Sequence, residues 1–419
     1  MNLRARRVLT LAVGTLLLLF LGLIYAYSVL MAPLKAQFDW SVSGMTLIFA
    51  ISIVAFTIGN LLAGKIESAV GVRPVYLLGA ALLLAGFVGS SLVDGPSALA
   101  VVYLTYGVLA SLGIGLVYNV VIPVVTSWFP DACGMAQGVS LMGFGMGGFL
   151  LGPVAAQLYT VLDWRVAFVG VGVVFSALTV ACSLILREPT ADELAKLPAA
   201  VPAQSAGGAA VPAQSAGGAD ASPVRDCGVA QMVGDRTFRL LYVFLFMLGS
   251  VGMGITGIGK ELPASLGADA LGAAFVIGFV NVGNGLGRLV AGTLLDRLGR
   301  GRTMVGVGLL SMVGTILLVL SLLGESTALM TVACLVAGLA WGAAVVCMPF
   351  VTRTEWGMAN MASNMAVVNT YSIFGAVLGS WGAGLLAERL GSFIPVLVIM
   401  AFMGAAGTLV ALALAKSSR

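Results

Sequence analysis

Arg288 lies in an otherwise apolar stretch of the sequence, together with two asparagines. Residues 281–292 read NVGNGLGRLVAG, so that Asn281, Asn284 and Arg288 follow one another at spacings of three and four. On a helix, this spacing places the two amides and the guanidinium on one face. Arginine stays protonated in proteins, and its planar fork can hold a carboxylate through two parallel hydrogen bonds. The pattern therefore predicts an anion-binding stripe on a helix.

The composition predicts that this helix crosses a membrane. Of the 419 residues, 60% are hydrophobic and 9% are charged, whereas a soluble domain has about 25% charged residues. Apolar runs long enough to cross ~30 Å of hydrocarbon recur along the chain, which predicts an all-α membrane protein. The predicted spans are 8–31, 42–63, 74–93, 98–127, 135–160, 165–186, 238–258, 270–295, 303–323, 327–351, 361–386 and 393–415.

The spans offer Arg288 no acidic partner. All 17 acidic residues fall in predicted loops or at span ends, and the chain has no histidine. Placing an arginine at the centre of a membrane helix costs on the order of 2.5–3.5 kcal/mol, and a bound anion would compensate this cost. In the alternative reading, Arg288 snorkels, because Asp296 lies eight residues later, about 12 Å along a helix.

The sequence repeats itself in two halves. AGKIESAVGVRP at 63–74 and AGTLLDRLGRGR at 291–302 follow corresponding spans, as do GMAQ at 134–137 and GMAN at 357–360. The small-residue pairs Gly148 with Gly152 and Gly375 with Gly379 also correspond. Two facing six-helix halves are a transporter architecture, with the site expected between them near the midplane. The predicted units are an N-terminal half at 1–186, a linker at 187–236 and a C-terminal half at 237–419.

The linker and the basic residues predict the orientation. Residues 199–208 read AAVPAQSAGG and residues 209–218 repeat this decamer, a composition typical of a flexible tether. With both termini and the linker inside, cytoplasmic segments hold 16 of the 21 lysines and arginines. We therefore expect a multi-pass protein of the cell membrane with both termini in the cytoplasm.

The stretch GTLLDRLGRGR resembles the G-x-x-x-D-x-x-G-R motif of the major facilitator superfamily, a family of transporters with twelve spans. The first-half copy has Ser68 where the motif has aspartate. The resemblance implies a gating latch at the cytoplasmic face, in which Asp296 pairs with basic residues in one state of the cycle. The alternative is that the basic residues only enforce topology. The residues that match the motif are Gly64, Arg73, Gly292, Asp296, Gly299 and Arg300.

Further stretches are similar to the oxalate/formate antiporter family and its monocarboxylate-transporter relatives. They are GIGLVYNVV at 113–121, SWFPDACGMAQG at 127–138, NVGNGLGRLVAG at 281–292, AWGAA at 340–344 and YSIFGAVLG at 371–379. In that family the matching arginine is taken to bind the substrate carboxylate inside an aromatic cage. By these matches, the other substrate contacts would be Tyr25, Tyr27, Tyr118, Asn119, Trp341, Asn369 and Tyr371. Ordinary helix packing is the alternative for each aromatic residue.

One departure from the family favours a monoanion. The oxalate exchanger has a second cation, a lysine, shortly before its SIFG stretch, where this chain has Val368 or Asn369. One guanidinium and one amide suit a small monocarboxylate such as lactate, pyruvate or formate. Alternatives are an oxalate/formate-type dicarboxylate exchanger, a multidrug or neutral-solute exporter of the same superfamily, and a membrane sensor that does not transport.

The sequence also excludes several classes of activity. Catalytic sets that need histidine are impossible, no metal-ligand cluster occurs, and no phosphate-binding loop for ATP is present. We therefore expect no enzymatic activity, no cofactor, no metal and no nucleic-acid partner. The expected partners are a carboxylate, the lipid bilayer and either a counter-anion or a proton that enters near Asp39 or Glu261. We expect the protein to be monomeric.

Overall fold

A computed structural model describes residues 3–95, 97–131, 133–197, 227–357 and 360–416, and these ranges contain helices and no β-strand. Twelve of the helices are long and apolar enough to cross a membrane, which confirms the predicted fold class. The duplicated decamer lies outside the described residues. The spanning helices are α1 Leu3–Phe38, α2 Val42–Glu67, α3 Val72–Ser91, α4 Ala98–Ser127, α5 Gly138–Val161, α6 Trp164–Ile185, α7 Arg236–Gly257, α8 Ala270–Leu295, α9 Arg297–Leu323, α10 Thr327–Trp356, α11 Val367–Leu390 and α12 Ile394–Lys416.

Leu3 and Lys416, the first and last described residues, lie on one face of the bundle, because the number of spans between them is even. We call this face, which also carries residues 187–197 and 227–236, the terminal face, and the other the opposite face. Side-chain caps start many of the helices that begin at the opposite face. An oxygen of the preceding residue accepts a hydrogen bond from a first-turn backbone N–H. These caps are Ser41 for α2, Asp163 for α6, Asp269 for α8 and Ser326 for α10.

Two glycines on the terminal face show the internal repeat in the backbone. Gly71 separates α2 from α3 and Gly299 lies near the start of α9, 228 positions later. Their φ angles are +83° and +76°, a conformation that side chains other than glycine disfavour. Both glycines lie within the repeated stretches 63–74 and 291–302, so the two halves turn at this point in the same way.

A pair of buried tryptophans, also 228 positions apart, holds the two ends of the linker. The indole N–H of Trp128, just after α4, donates to the Arg187 carbonyl at 2.7 Å. The indole N–H of Trp356, at the end of α10, donates to the Asp235 carboxylate at 3.1 Å. The linker therefore begins and ends as ordered chain, each end attached to its own half.

Polar contacts reinforce each linker end. Arg187 forms a two-pronged ion pair with Glu193 at 2.6 and 2.7 Å, and this bond, with the Thr190 backbone N–H, lowers the pKa of Glu193 to about 2. At the other end, the Cys227 N–H donates to the Trp356 carbonyl at 3.1 Å. Residues 187–236 therefore include structured segments on both sides of the decamer repeat.

Interlocked glycines bring α8 and α10 into backbone contact. An added Cβ at Gly283 or Gly287 of α8 would lie 2.2 Å from a carbonyl oxygen of α10. Conversely, an added Cβ at Gly342 of α10 would lie 2.0 Å from the Asn284 carbonyl oxygen. Such four-residue spacings of small residues permit close packing in lipid. The contact fixes the Asn284 backbone of α8 against Gly342 of α10, the residue after Trp341.

Glycines also form the contact between the halves, where α5 faces α8. Gly145 lies against Gly285, and an added Cβ at Gly148 would lie 2.2 Å from the Asn281 amide nitrogen. The asparagine stripe of α8 thus faces the N-terminal half. This placement brings the predicted binding stripe to the interface between the halves.

Candidate functional site

Arg288 lies half-buried on α8 and points towards aromatic residues of the N-terminal half. Its guanidinium interacts with the hydroxyls of Tyr25 on α1 and Tyr118 on α4. The Nε atom is buried and has no hydrogen-bond partner. Among the described residues, no carboxylate forms an ion pair with Arg288. Uncharged hydroxyls solvate the cation here but do not neutralise it.

The two asparagines of the stripe are buried and incompletely bonded. Asn281 is 3% exposed and Asn284 is 1% exposed. The Oδ1 atom of Asn281 and both the Oδ1 and Nδ2 atoms of Asn284 have no hydrogen-bond partner. An unsatisfied buried polar group costs about 1–3 kcal/mol, so these amides mark a place where a polar ligand would be favourable.

A cluster of aromatic rings forms the N-terminal side of the site. Phe144 of α5 is its centre, with ring centroids 5.2 Å from Tyr25 and 4.7 Å from Tyr118. Phe56 of α2 packs edge-on against Tyr118 at 5.2 Å. Sequence reasoning missed Phe56 and Phe144. A usable signal was the GFG context of Phe144, since Gly143 packs on α1 and Gly145 on α8.

Two aromatic residues form the C-terminal side. The Trp341 ring lies 5.4 Å from that of Tyr25, so this pair connects the two halves. Trp341 packs on Gly252 of α7, while its indole N–H is buried without a partner. Tyr371 packs on Gly249 and interacts electrostatically with Arg288. The structure therefore brings Tyr25 and Tyr118 to the guanidinium, with Trp341 against Tyr25 and Tyr371 within electrostatic range. That these four residues bind substrate stays a prediction.

The remaining predicted contacts lie elsewhere. Tyr27 stacks on Phe49 at 4.7 Å, and its hydroxyl donates to the Gly257 carbonyl towards the opposite face. Asn119 donates to Asn60 at 3.3 Å within the N-terminal half. Asn369 ends a helical segment, and its carbonyl accepts from Ser372. No described contact joins these three residues to Arg288, so their role in binding stays a prediction.

The predicted gating residues lie on the terminal face. Gly299 makes the helix break described above, Arg73 is exposed, and Gly64 and Gly292 have no neighbour within 4 Å of an added Cβ. Arg300 pairs with Glu355 at the end of α10, inside the C-terminal half. The Asp296 side chain is outside the described part of the chain, and its latch function stays a prediction.

Contacts between the halves close the opposite face. Lys35 near the end of α1 pairs with Glu261 before α8 at 2.6 Å, and the Tyr27 hydroxyl reaches the Gly257 carbonyl. Nearby, the Ser380 hydroxyl donates to the Thr46 carbonyl at 3.1 Å. By contrast, the pairs Arg7–Asp131 and Arg300–Glu355 on the terminal face each stay within one half. The described conformation is therefore one that is closed at the opposite face.

The ion pair between Lys35 and Glu261 should stabilise this closed face. Burial lowers the pKa of the adjacent Lys260, and Lys35 lowers it further, while Glu261 raises it. Lys35→Glu would place two carboxylates together and should shift the population towards an open face by about fivefold, which corresponds to about 1 kcal/mol for a partly exposed pair. The double variant Lys35→Glu with Glu261→Lys restores the pair and should restore the closed population.

Distances between spin labels at the exposed positions Leu162 and Leu323 of the opposite face would measure this shift. If the single variant and the swapped double variant give the same distances as the wild type, the ion pair does not hold the face closed.

Comparisons with known proteins agree with this architecture. The Major Facilitator Superfamily family model matches residues 11–380. The oxalate:formate antiporter of Oxalobacter formigenes is 25% identical over 385 residues, which cover 89% of this chain and 85% of the antiporter. Monocarboxylate transporter 12 of Mus musculus is 24% identical over 85% of this chain and 74% of its own length.

A solved structure shows the same fold. A single-site variant of the nucleoside transporter NupG superposes with a TM-score of 0.73 at 14% identity, covering 99% of this chain and 100% of that one. The family match and the twelve spanning helices agree. The chain is a member of the Major Facilitator Superfamily, and it is a multi-pass membrane transporter rather than an enzyme.

Proposed function

We propose that this protein is a secondary active transporter of small monocarboxylates, which bind through Arg288. The observation that carries the proposal is a guanidinium inside the spans that lacks an acidic partner among the described residues, beside two unsatisfied amides. A carboxylate would pair with the fork of Arg288 and offset the cost of burying its charge. The names of the two relatives, an oxalate:formate antiporter and a monocarboxylate transporter, support a carboxylate substrate.

The aromatic rings limit the size of the substrate, and the single cation among them limits its charge. On one side, Tyr25 and Tyr118 each stand within ring-contact distance of Phe144, and Trp341 stands on the other side. These rings offer apolar walls with a few polar tips. With a single cation in the group, a second carboxylate would remain unpaired in a poorly hydrated site. This favours monoanions over dianions.

Alternating access follows from the position of the site. Arg288 belongs to the C-terminal half and most of its aromatic surroundings to the N-terminal half, so rocking of one half against the other would expose the site to either side. We infer from the basic residues that the terminal face is cytoplasmic. The closed opposite face is then the external one, and the protein lies in the cell membrane. Exchange of anions and symport with a proton are both compatible with this cycle.

Uptake into proteoliposomes tests the proposal. Lactate, pyruvate and formate should compete with one another for uptake, while oxalate should compete at least tenfold more weakly because its second carboxylate lacks a cation. A neutral solute and a cationic drug serve as controls and should not compete. Strong competition by oxalate would instead support the dicarboxylate exchanger, and preference for the neutral or cationic compounds would contradict the proposal.

A further inference from the structure

The unsatisfied atoms around Arg288 differ in hydrogen-bonding character. Arg288 Nε, Trp341 Nε1 and Asn284 Nδ2 are donors, whereas Asn281 Oδ1 and Asn284 Oδ1 are acceptors. All four side chains line the contact between the halves, and Asn281, Asn284 and Trp341 are each less than 5% exposed. A ligand that satisfies this set must both accept and donate hydrogen bonds.

A plain carboxylate satisfies only the donors, because an ionised carboxylate has no proton to give. The acceptors remain, and exchanging the two ends of the Asn284 amide does not remove the mismatch, since both of its polar atoms are unpartnered. Water could bond there, but only as an additional bound molecule. A hydroxyl on the ligand itself would supply the missing proton.

The geometry limits where this hydroxyl can be. Asn284 lies one helical turn from Arg288 on the same face, about 6 Å along the axis, whereas Asn281 lies about 10 Å away. A group on the carbon next to the carboxylate is within reach of the nearer amide. Asn284 is also held in place, because its backbone carbonyl packs against Gly342 of α10.

We propose that Asn284 selects 2-hydroxy monocarboxylates over 2-oxo monocarboxylates. The carboxylate binds Arg288 and accepts a hydrogen bond from Asn284 Nδ2, and the 2-hydroxyl donates to Asn284 Oδ1. A 2-oxo group presents an acceptor at the same place and leaves this oxygen unpaired. The inference rests on the proposed function, since it requires a carboxylate on Arg288, and it narrows the substrate class.

Paired substrates of equal length provide the test. Proteoliposome uptake would be measured for L-lactate against pyruvate and for 2-hydroxybutyrate against 2-oxobutyrate. The wild type should favour each hydroxy acid by about tenfold or more, because a site built to bond a hydroxyl rejects an analogue that lacks it. Asn284→Ala should reduce each ratio to about one, because it removes the acceptor that distinguishes the hydroxy acid from the oxo acid.

Asn60→Ala is the matched control. Asn60 occupies the corresponding position to Arg288 in the N-terminal half, and its amide already bonds to the Phe56 carbonyl at 2.9 Å and to Asn119. This variant should leave both substrate ratios unchanged. Thermal unfolding of each purified variant shows whether it is folded.

The outcomes separate the two proposals. If wild-type protein carries pyruvate as well as lactate, or if Asn284→Ala weakens both equally, the hydroxyl selection is wrong while monocarboxylate transport stands. If neither acid of any pair is bound or transported, both the selection and the proposed function are overturned.

Discussion

Replacement of Arg288 by leucine is expected to abolish carboxylate transport and to raise the melting temperature of the substrate-free protein. Leucine removes the anion-binding group, and it also removes a charge that has no acidic partner among the described residues. An arginine at the centre of a membrane helix costs on the order of 2.5–3.5 kcal/mol, whereas a leucine there is favourable. Arg288→Lys keeps the charge but loses the planar fork, so it should fold and bind substrate at least tenfold more weakly.

Two measurements check this expectation. Uptake into proteoliposomes reports transport, and thermal unfolding with and without lactate reports binding, because a ligand of the native state raises the melting temperature. Lactate should stabilise the wild type but not Arg288→Leu. Arg353→Leu, which removes an exposed arginine at the end of α10, is the control. Near wild-type carboxylate transport by Arg288→Leu would refute the assigned role.

Gly342→Ala is expected to destabilise the protein and to impair transport together. The added methyl group would lie 2.0 Å from the Asn284 carbonyl oxygen, which no rotamer change can relieve, so α8 and α10 must separate. Overpacking of this kind costs about 1–3 kcal/mol. The separation would also move Asn284 relative to Trp341 and so disturb the site.

Gly306→Ala provides the matched control, because nothing lies within 4 Å of an added Cβ there. Alanine is the better helix former by up to about 1 kcal/mol, so this variant should be as stable as the wild type or more so. Melting temperature and lactate uptake would be measured for both variants. An unchanged melting temperature for Gly342→Ala would show that the helices are not in the described contact.

The sequence was sufficient to predict the spanning helices and to place the polar stripe of α8 on one helix face. Long apolar runs determine membrane helices almost uniquely, so twelve spans could be predicted and were confirmed. The spacing of Asn281, Asn284 and Arg288 put them on one face because helix geometry is regular. Which neighbouring helix this face contacts could not be predicted from the sequence of α8 alone. In the structure, the stripe packs against glycines of α5.

The aromatic residues were harder to predict. In a membrane span, phenylalanine is ordinary. Nothing in the local sequence separates Phe56 from lipid-facing rings, and the flanking glycines are the one local signal for Phe144. Tyr27 shows the converse difficulty, since it lies only two positions from Tyr25 yet contacts Phe49 and Gly257 instead. A 3₁₀ segment over Gly22–Ala26 interrupts the α-helical register there. Such a change of register depends on tertiary packing.

The placement of a charge in only one half has an electrical consequence. The N-terminal half has Asn60 where the C-terminal half has Arg288, so the two halves are unequal in charge at the site. With a monoanion bound as proposed, the guanidinium and carboxylate together are neutral, and the membrane voltage does little work on their passage. The empty protein carries the unpaired cation. Moving this charge across the whole of a 100 mV potential would involve up to about 2.3 kcal/mol of electrical work. Voltage would therefore act on the return of the empty carrier and govern net flux, while one-for-one exchange of monoanions, which bypasses that step, would be electrically silent.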